Sequence, residues 1–473
     1  MRADRALCTS VSLWFSLLVL SCTGRAEDKT TYQEHVFPLI EANCAKCHNE
    51  DKKKADLDLT SYQGVLRGSG SGPVVASGSP DSSKLWKALT HSEEPYMPPN
   101  RPGLAEQELA VFKKWITDGL LENSGGKPVA AAEGAIDLSL KAEAVGKPDG
   151  PPPMPGNLSK KVLLHTGRAN AITGLAASPW APLIAVAGQK EVLLFNSESQ
   201  QLLGVLPFPE GQPMELKFSR NGKLLLAAGG IGAKAGRIAV WDITTGERSL
   251  TVSGEYDTVL TSDIRPDQTQ IAFGGPTRLV KLYSIKAATV QQKLKKHTDW
   301  VTAVAYSPNG EMLASADRNG GICVWDPDNA QEIHTLAGHK AAVTGLAWRG
   351  DSKVLASASE DGTVKLWELK EGKQVKSWNA HPSGVLNVSF SHDGRLVTCG
   401  RDNAITLWSA TGSKLKNVTP APELPLRAVF TADQDRIVTS DFSGNVTAWD
   451  AKSGKTTGTF NANPHPEKVA AAR

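Results

Sequence analysis

Five consecutive residues near the start of the chain, Cys44-Ala45-Lys46-Cys47-His48, carry its most specific chemistry. Two thiols separated by two residues and followed at once by an imidazole form the spacing that attaches c-type haem. Each thiol can form a thioether to a vinyl group, and His48 then falls under the iron as its fifth ligand. A zinc site needs four ligands, and no second Cys/His pair follows at the usual distance. A redox CxxC would not need the histidine and would want a strand–helix setting. A sixth iron ligand has a candidate 49 residues after His48, in Glu93-Glu94-Pro95-Tyr96-Met97-Pro98-Pro99. The prolines predict a stiff, extended backbone after Met97, and a thioether ligand raises the reduction potential relative to two imidazoles. His91 is its main competitor, and Met154 lies far into a linker.

These residues need helices to hold them. Tyr32 to Cys44 places Val36, Phe37, Leu39 and Ile40 on one helical face, with Pro38 disturbing it, and runs into the CxxCH turn. Leu57, Leu59, Tyr62 and Val65 alternate loosely with polar residues. Gly68 to Pro73 is a flexible turn that lacks the Lys-Ser/Thr of a phosphate-binding loop. Ser79-Pro80-Asp81 reads as a helix start, with Leu85, Trp86 and Leu89 on the buried side. Leu104 to Leu121 is the closing helix, with Leu104, Leu109, Phe112, Trp115 and Ile116 on one face and Gly119 near its end.

On these marks residues 31–123 resemble the planctomycete-type cytochrome c domain. The marks are CAKCH, Ser71 to Pro73, Ser79 to Leu85, Met97-Pro98-Pro99, and the last helix with Trp115-Ile116 and Gly119. The resemblance implies a small all-α, class I-like domain over 27–123, with one covalently attached haem c. His48 would be the proximal and Met97 the distal iron ligand.

The chain is too long for one ordinary domain. Its 52 basic and 49 acidic side chains nearly cancel, which argues against a nucleic-acid partner, since that would show a basic stripe. Residues 27–123 hold 11 basic and 15 acidic side chains, an acidic domain beside a mildly basic remainder. Residues 1–26 read as an export signal: Arg2 and Arg5, an apolar core from Val11 to Leu20, then Gly24 and Ala26 before a cut at Glu27. That core is too short to span a bilayer. A cut before Cys22 would instead leave a lipid-anchored cysteine, a reading that the Leu20-Ser21-Cys22 context makes the lesser one. The expected location is periplasmic or cell-envelope associated. With Cys44 and Cys47 given to haem, Cys323 and Cys399 lie in different repeats and predict no disulfide framework.

Residues 124–160 are rich in Gly, Ala and Pro and read as a semi-extended tether. Beyond them the chain repeats. Each unit ends on an aromatic followed by a small polar or acidic residue: Phe195, Trp241, Tyr283, Trp325, Trp367, Trp408 and Trp449, at steps of 46, 42, 42, 42, 41 and 41. Residues 161–461 resemble the WD40 repeat, and seven anchors imply an all-β seven-bladed propeller, followed by a disordered tail over 462–473. The family's internal network of His, turn Asp and Trp is matched by His339, Asp361 and Trp367, and by His381, Asp402 and Trp408. The fourth unit has His297 and Trp325 but Asn319 at the turn. Lys161 to His165 and Lys455 to Asn461 compete to supply the last outer strand, and closure by overlap favours the first. The insertion Gly229 to Gly236 allows a long loop projecting from one face as a contact site, with an inert long hairpin the favoured reading.

The expectation is therefore a multidomain, exported monohaem cytochrome c whose propeller docks a protein partner, with a redox partner protein of unknown identity. It is an electron-transfer protein rather than a catalyst. Two alternatives are a haem-dependent oxidoreductase whose propeller holds the substrate, and a redox or gas sensor. The propellers joined to cytochromes in quinoprotein dehydrogenases and nitrite reductases have eight blades, not seven.

Overall fold

A computed structural model describes residues 29–69, 73–99, 101–126, 128–129, 137–141, 144–164, 170–418 and 421–463. The export signal, Cys22, the centre of the Gly68–Pro73 turn and the C-terminal tail from 464 lie outside the described residues.

The first described region is helical. A π-turn, Tyr32–Val36, leads into α1 (Phe37–Asn43), followed by α2 (Tyr62–Arg67), α3 (Lys84–Leu89) and α4 (Glu106–Thr117). None is long, so their stability rests on packing rather than propensity. Val36, Ile40, Leu59, Val65, Leu89, Phe112, Trp115 and Ile116 are buried together with Tyr32 and Tyr62. The polar handle of each of these three buried aromatics is met: Tyr32 Oη donates to Leu59 O (2.7 Å), Tyr62 Oη to Leu120 O (2.7 Å), and Trp115 Nε1 to Leu121 O (2.9 Å). Trp115 is thus core. Trp86, expected to be buried, is half-exposed, with Lys113 Nζ 5.9 Å from its ring centre. The expected helix start at Ser79 is a single 3-10 turn, Pro80–Ser82. The Ser83 hydroxyl donates back to Ser79 O (2.9 Å), and α3 begins only after it.

The rest of the described chain forms seven four-stranded antiparallel sheets, β1–β28. They are the blades of a seven-bladed propeller, at residues 175–207, 212–255, 261–294, 301–336, 343–379, 385–418 and 425–461. All seven anchor aromatics lie at the end of the third strand of their blade and are buried. Hydroxyls tie blade to blade: Thr173 Oγ1 to Pro213 O (3.1 Å), Thr302 Oγ1 to Val343 O (2.6 Å), and Thr344 Oγ1 to Val385 O (2.8 Å).

The last blade differs from expectation. Its outer strand is the C-terminal Thr456–Asn461, paired with Asn445–Asp450. The two are joined by a tight turn, so their pairing closes a far shorter loop than a return of the N-terminal segment would. The ring closes instead by side-to-side contact of blades 7 and 1: Ile172 N–H donates to Asp441 O (3.2 Å) and Ser440 Oγ to Ile172 O (3.1 Å). Residues 161–164 go elsewhere. Val162 packs between blades 1 and 7, and Leu163 N–H donates to the Glu191 carboxylate at 2.7 Å.

The insertion in blade 2 takes the long-hairpin form. It lengthens two paired strands, Leu224–Ile231 and Ala235–Asp242, around a three-residue turn. Glycine is required here by close backbone approach: a Cβ on Gly229 would stand 2.0 Å from Gln212 O, and one on Gly230 2.0 Å from Ala235 O.

The tether also differs. Val129 N–H donates to Gly119 O (2.8 Å) and Ser77 Oγ to Val129 O (2.6 Å), so this part belongs to the helical region. Two further stretches, around residues 137–140 and 153–159, lie on the propeller. Leu140 N–H donates to Asp267 O (2.8 Å) in blade 3, and Gly156 N–H to Thr244 O (3.0 Å) in blade 2. Val205 N–H of blade 1 donates to Ser159 O (2.8 Å), covering that blade's free edge. Met154 and Leu158 pack on the core between blades 1 and 2. Composition signalled a coil, but a proline-rich strand can be held by neighbours that supply its hydrogen bonds.

Candidate functional site

The CAKCH pentapeptide sits where α1 ends. Cys44 caps the helix, its N–H donating to Ile40 O (2.7 Å), and Ala45 N–H shares that acceptor at 3.0 Å. Cys44 O then accepts from both Cys47 N–H (3.1 Å) and His48 N–H (3.1 Å), which coils the five residues into one compact turn. The turn is pinned from outside. Lys54 N–H donates to Cys47 O (3.0 Å), Leu59 N–H to His48 O (2.8 Å), and Asn49 Nδ2 to Ala45 O (2.8 Å).

Cys44 and Cys47 are both half-buried and neither is in a disulfide. Burial pushes the Cys44 thiol up to about 11. His48 is buried, and its Nδ1 is enclosed with no hydrogen-bond partner. Buried polar atoms are nearly always paired, so this one stands out. Neither ring nitrogen of His48 makes a hydrogen bond among the described residues. No group of three or more His, Cys, Asp or Glu side chains among the described residues converges as an ion site, which removes the zinc alternative there.

Met97 is half-buried and packs on the same apolar cluster as Cys44. Its segment is a run of bends, not the expected extended strand. Two hydrogen bonds fold it back onto the end of α3: Met97 N–H donates to Ala88 O (3.0 Å), and His91 Nε2 donates to Met97 O (3.1 Å). His91 also stacks on Tyr96, ring centres 5.2 Å apart. The competitor ligand thus has one ring nitrogen engaged in holding Met97.

The WD-type networks are more complete than the sequence suggested. In blade 5, Trp367 Nε1 donates to Ser357 Oγ (2.8 Å), which meets His339 Nε2 (2.7 Å), and His339 Nδ1 meets Asp361 (2.9 Å). Blade 6 repeats this through Trp408, Thr398, His381 and Asp402. Blade 4, expected to be partial because Asn319 stands at the turn, is intact: His297 Nδ1 takes Asp317, and Ser315 joins His297 to Trp325. The middle hydroxyls were missed, although a Ser or Thr stands ten residues before Trp325, Trp367, Trp408 and Trp449. Burial lowers the pKa of all three histidines, against the raising effect of their aspartates. These are structural braces, closed to substrate.

Residues 44–101 match the planctomycete cytochrome C family, and residues 258–471 match the family of the IFT122 first beta-propeller. Among curated proteins, the chain is 26% identical to Protein TOPLESS of Arabidopsis thaliana over 54% of this chain and 19% of that one. It is 30% identical to WD repeat-containing protein VIP3 of the same plant over 38% of this chain and 46% of that one. With the guanine nucleotide-binding protein subunit beta-like protein of Encephalitozoon cuniculi it shares 30% identity over 26% of this chain and 37% of that one. The matched part spans less than half the length of each of these relatives.

Proposed function

We propose that this chain, which joins a planctomycete-type cytochrome c domain to a WD40-type seven-bladed propeller, is an exported monohaem electron-transfer protein. Its propeller is the surface on which partner proteins dock. The observation that carries the reading is the CAKCH turn: two unpaired thiols and a buried, unpartnered imidazole within six residues of α1, inside the stretch that matches planctomycete cytochrome C. The residues fit a covalently held haem c. Cys44 and Cys47 would form the thioethers, His48 would be the proximal ligand and Met97 the distal one, making an all-α, class I-like haem domain of residues 27–123. When bound, haem supplies reversible one-electron chemistry.

This chain's own residues do the positioning. The doubly used Cys44 carbonyl fixes the order of thiol, thiol and imidazole. Ala88 and His91 hold the Met97 segment, and Cys44 and Met97 both pack on one apolar cluster. On the propeller, the connections leading into the innermost strands expose Tyr256 (81%) and Trp300 (43%), and Phe442 (60%) stands in a turn on the same face. Arg318 stacks at 5.3 Å over the Trp300 ring. Aromatics and Arg of this kind are enriched where proteins meet. Residues 1–26 would be removed on export to the periplasm or cell envelope, with the lipid-anchored Cys22 form the lesser reading.

The test is production in an export-competent host that attaches haem c. A haem stain surviving denaturing electrophoresis, a c-type pyridine haemochrome spectrum and one iron per chain are expected. Cys44→Ala with Cys47→Ala should abolish the stain, and Met97→Ala should remove the Met–ferric charge-transfer band. A chain without covalent haem sinks the reading, and a band surviving in Met97→Ala removes Met97 from the site.

A further inference from the structure

At one mouth of the propeller's axis, the turns that follow the innermost strands enclose a cavity of about 280 Å³. That is near the lower end of small-molecule sites. The second residues of these turns ring it. Pro179, Pro266 and Pro308 are apolar, whereas blade 2 presents Arg220 and blade 6 presents His392. Trp180 of blade 1 reaches across to His392, ring centres 4.8 Å apart, and its Nε1 donates to Arg220 O at 2.8 Å. One rim of the cavity is thus built by three turns locked together.

The charges lining the cavity are unevenly spent, some of them on partners outside it. Lys217 has Glu215 at 3.5 Å, and Arg427 approaches the other oxygen of Glu215 at 3.6 Å. The Asp263 carboxylate accepts from Ile264 N–H (2.9 Å) and Tyr306 N–H (2.8 Å). Arg220, which lines the same cavity, has no side-chain hydrogen bond or ion pair among the described residues. Asp263 acts on it through space but is not in contact. Burial lowers its affinity for its own proton, and its charge, after burial, does the same to His392. A guanidinium held in a half-enclosed cavity without an acceptor is costly unless an anion completes it.

We propose that this cavity binds a small oxyanion, a carboxylate or a phosphate, with the Arg220 guanidinium as its ion-pair partner and the Trp180–His392 pair closing its rim. The planar fork of Arg suits either group by two parallel hydrogen bonds. The site is independent of the haem and makes the propeller a receptor for a soluble metabolite-sized anion as well as a surface for proteins.

Isothermal titration of the full haem-loaded chain with inorganic phosphate and, separately, with benzoate tests this. Saturable one-site binding of at least one probe is expected. A response to phosphate alone assigns a phosphate ligand, and a response to benzoate alone assigns a carboxylate. Arg220→Gln should weaken it by about tenfold or more, the range for losing a charge-assisted pair. Arg220→Lys keeps the charge without the fork and should fall in between, which keeps the test alive if the Gln variant folds poorly. Arg401→Gln, whose residue pairs with exposed Glu360 on the other face, should bind as the parent does. No saturable binding of either probe up to about 10 mM, a range set by millimolar affinity, or unchanged binding in both Arg220 variants, overturns the proposal.

Discussion

His297 Nδ1 lies 2.9 Å from the Asp317 carboxylate, whose residue stands two positions before the turn site that supplies the acid in the neighbouring blade. Asp317 also accepts from Asn319 N–H (3.0 Å) and Gly321 N–H (2.9 Å), so one side chain both braces the histidine and shapes the turn. Asp317→Ala should cost about 1–3 kcal/mol, the range for orphaning a buried partner. Adding Asn319→Asp should recover part of it by restoring the acid at the blade 5 position. Urea denaturation read by tryptophan fluorescence measures both, and a neutral Asp317→Ala would show that the brace carries no stability.

Glu191 is buried and accepts the Leu163 N–H, and burial raises its pKa to about 7 despite that hydrogen bond. A carboxyl raised in the folded state contributes stability below its unfolded value near 4.5 and loses it as pH rises through 7. Glu191→Gln should therefore stabilise the propeller at pH 8 by on the order of 1–3 kcal/mol and change little at pH 4.5. Equal effects at both pH values would contradict the titration.

The three network histidines work with the opposite sign. Burial lowers each pKa in the folded state. The unfolded chain takes up protons below about pH 6.5 while the folded chain does not. Their contribution is therefore full above pH 6.5 and is lost as pH falls toward the lowered folded values. In the Glu191→Gln chain, which removes one of the two buried carboxyls among the described residues that burial raises, the other being Asp263, the urea midpoint should drop between pH 7.5 and 5.5. His381→Gln should blunt that drop while lowering the midpoint overall. A midpoint flat across this interval would rule out neutral burial.

Leu158 packs against Gly204 and Gly246, where a Cβ on either glycine would stand 2.7 Å from its side chain. Leu158→Asp should lift the 144–164 segment from blades 1 and 2, so that trypsin cuts at Lys160 or Lys161 faster by about tenfold, as for a local opening eased by about 1.4 kcal/mol. Unchanged cleavage rates would mean that this contact does not hold the segment.

The blade count was legible because seven aromatics at nearly constant steps report a repeating unit directly, and each of them is buried where the period predicts. The apolar periodicity around Val36, Ile40 and Trp115 was equally readable, since it reflects burial that any helical packing would use. Ring closure was not readable: two segments of similar strand character competed, and the shorter loop decided between them. Nor was the acid of blade 4, because a side chain displaced by two residues reaches the same nitrogen through backbone geometry. The path of residues 137–164 was hidden for a related reason. Its hydrogen bonds are made by backbone atoms, which composition does not distinguish.

That path sets a length. Between Val129, bonded to the helical region, and Asp137, beside Lys286 of blade 3 at 4.0 Å, there are eight chain steps. At about 3.6 Å each they reach about 29 Å at most, whereas all of residues 124–160 hanging free would sweep a far larger volume. Two modules joined by so few residues would see each other at an effective concentration in the millimolar range. Under the proposed function, a partner docked on the propeller would be presented to the N-terminal domain without a second search, so retention on the blades, rather than diffusion to the CAKCH turn, would set which partner is served.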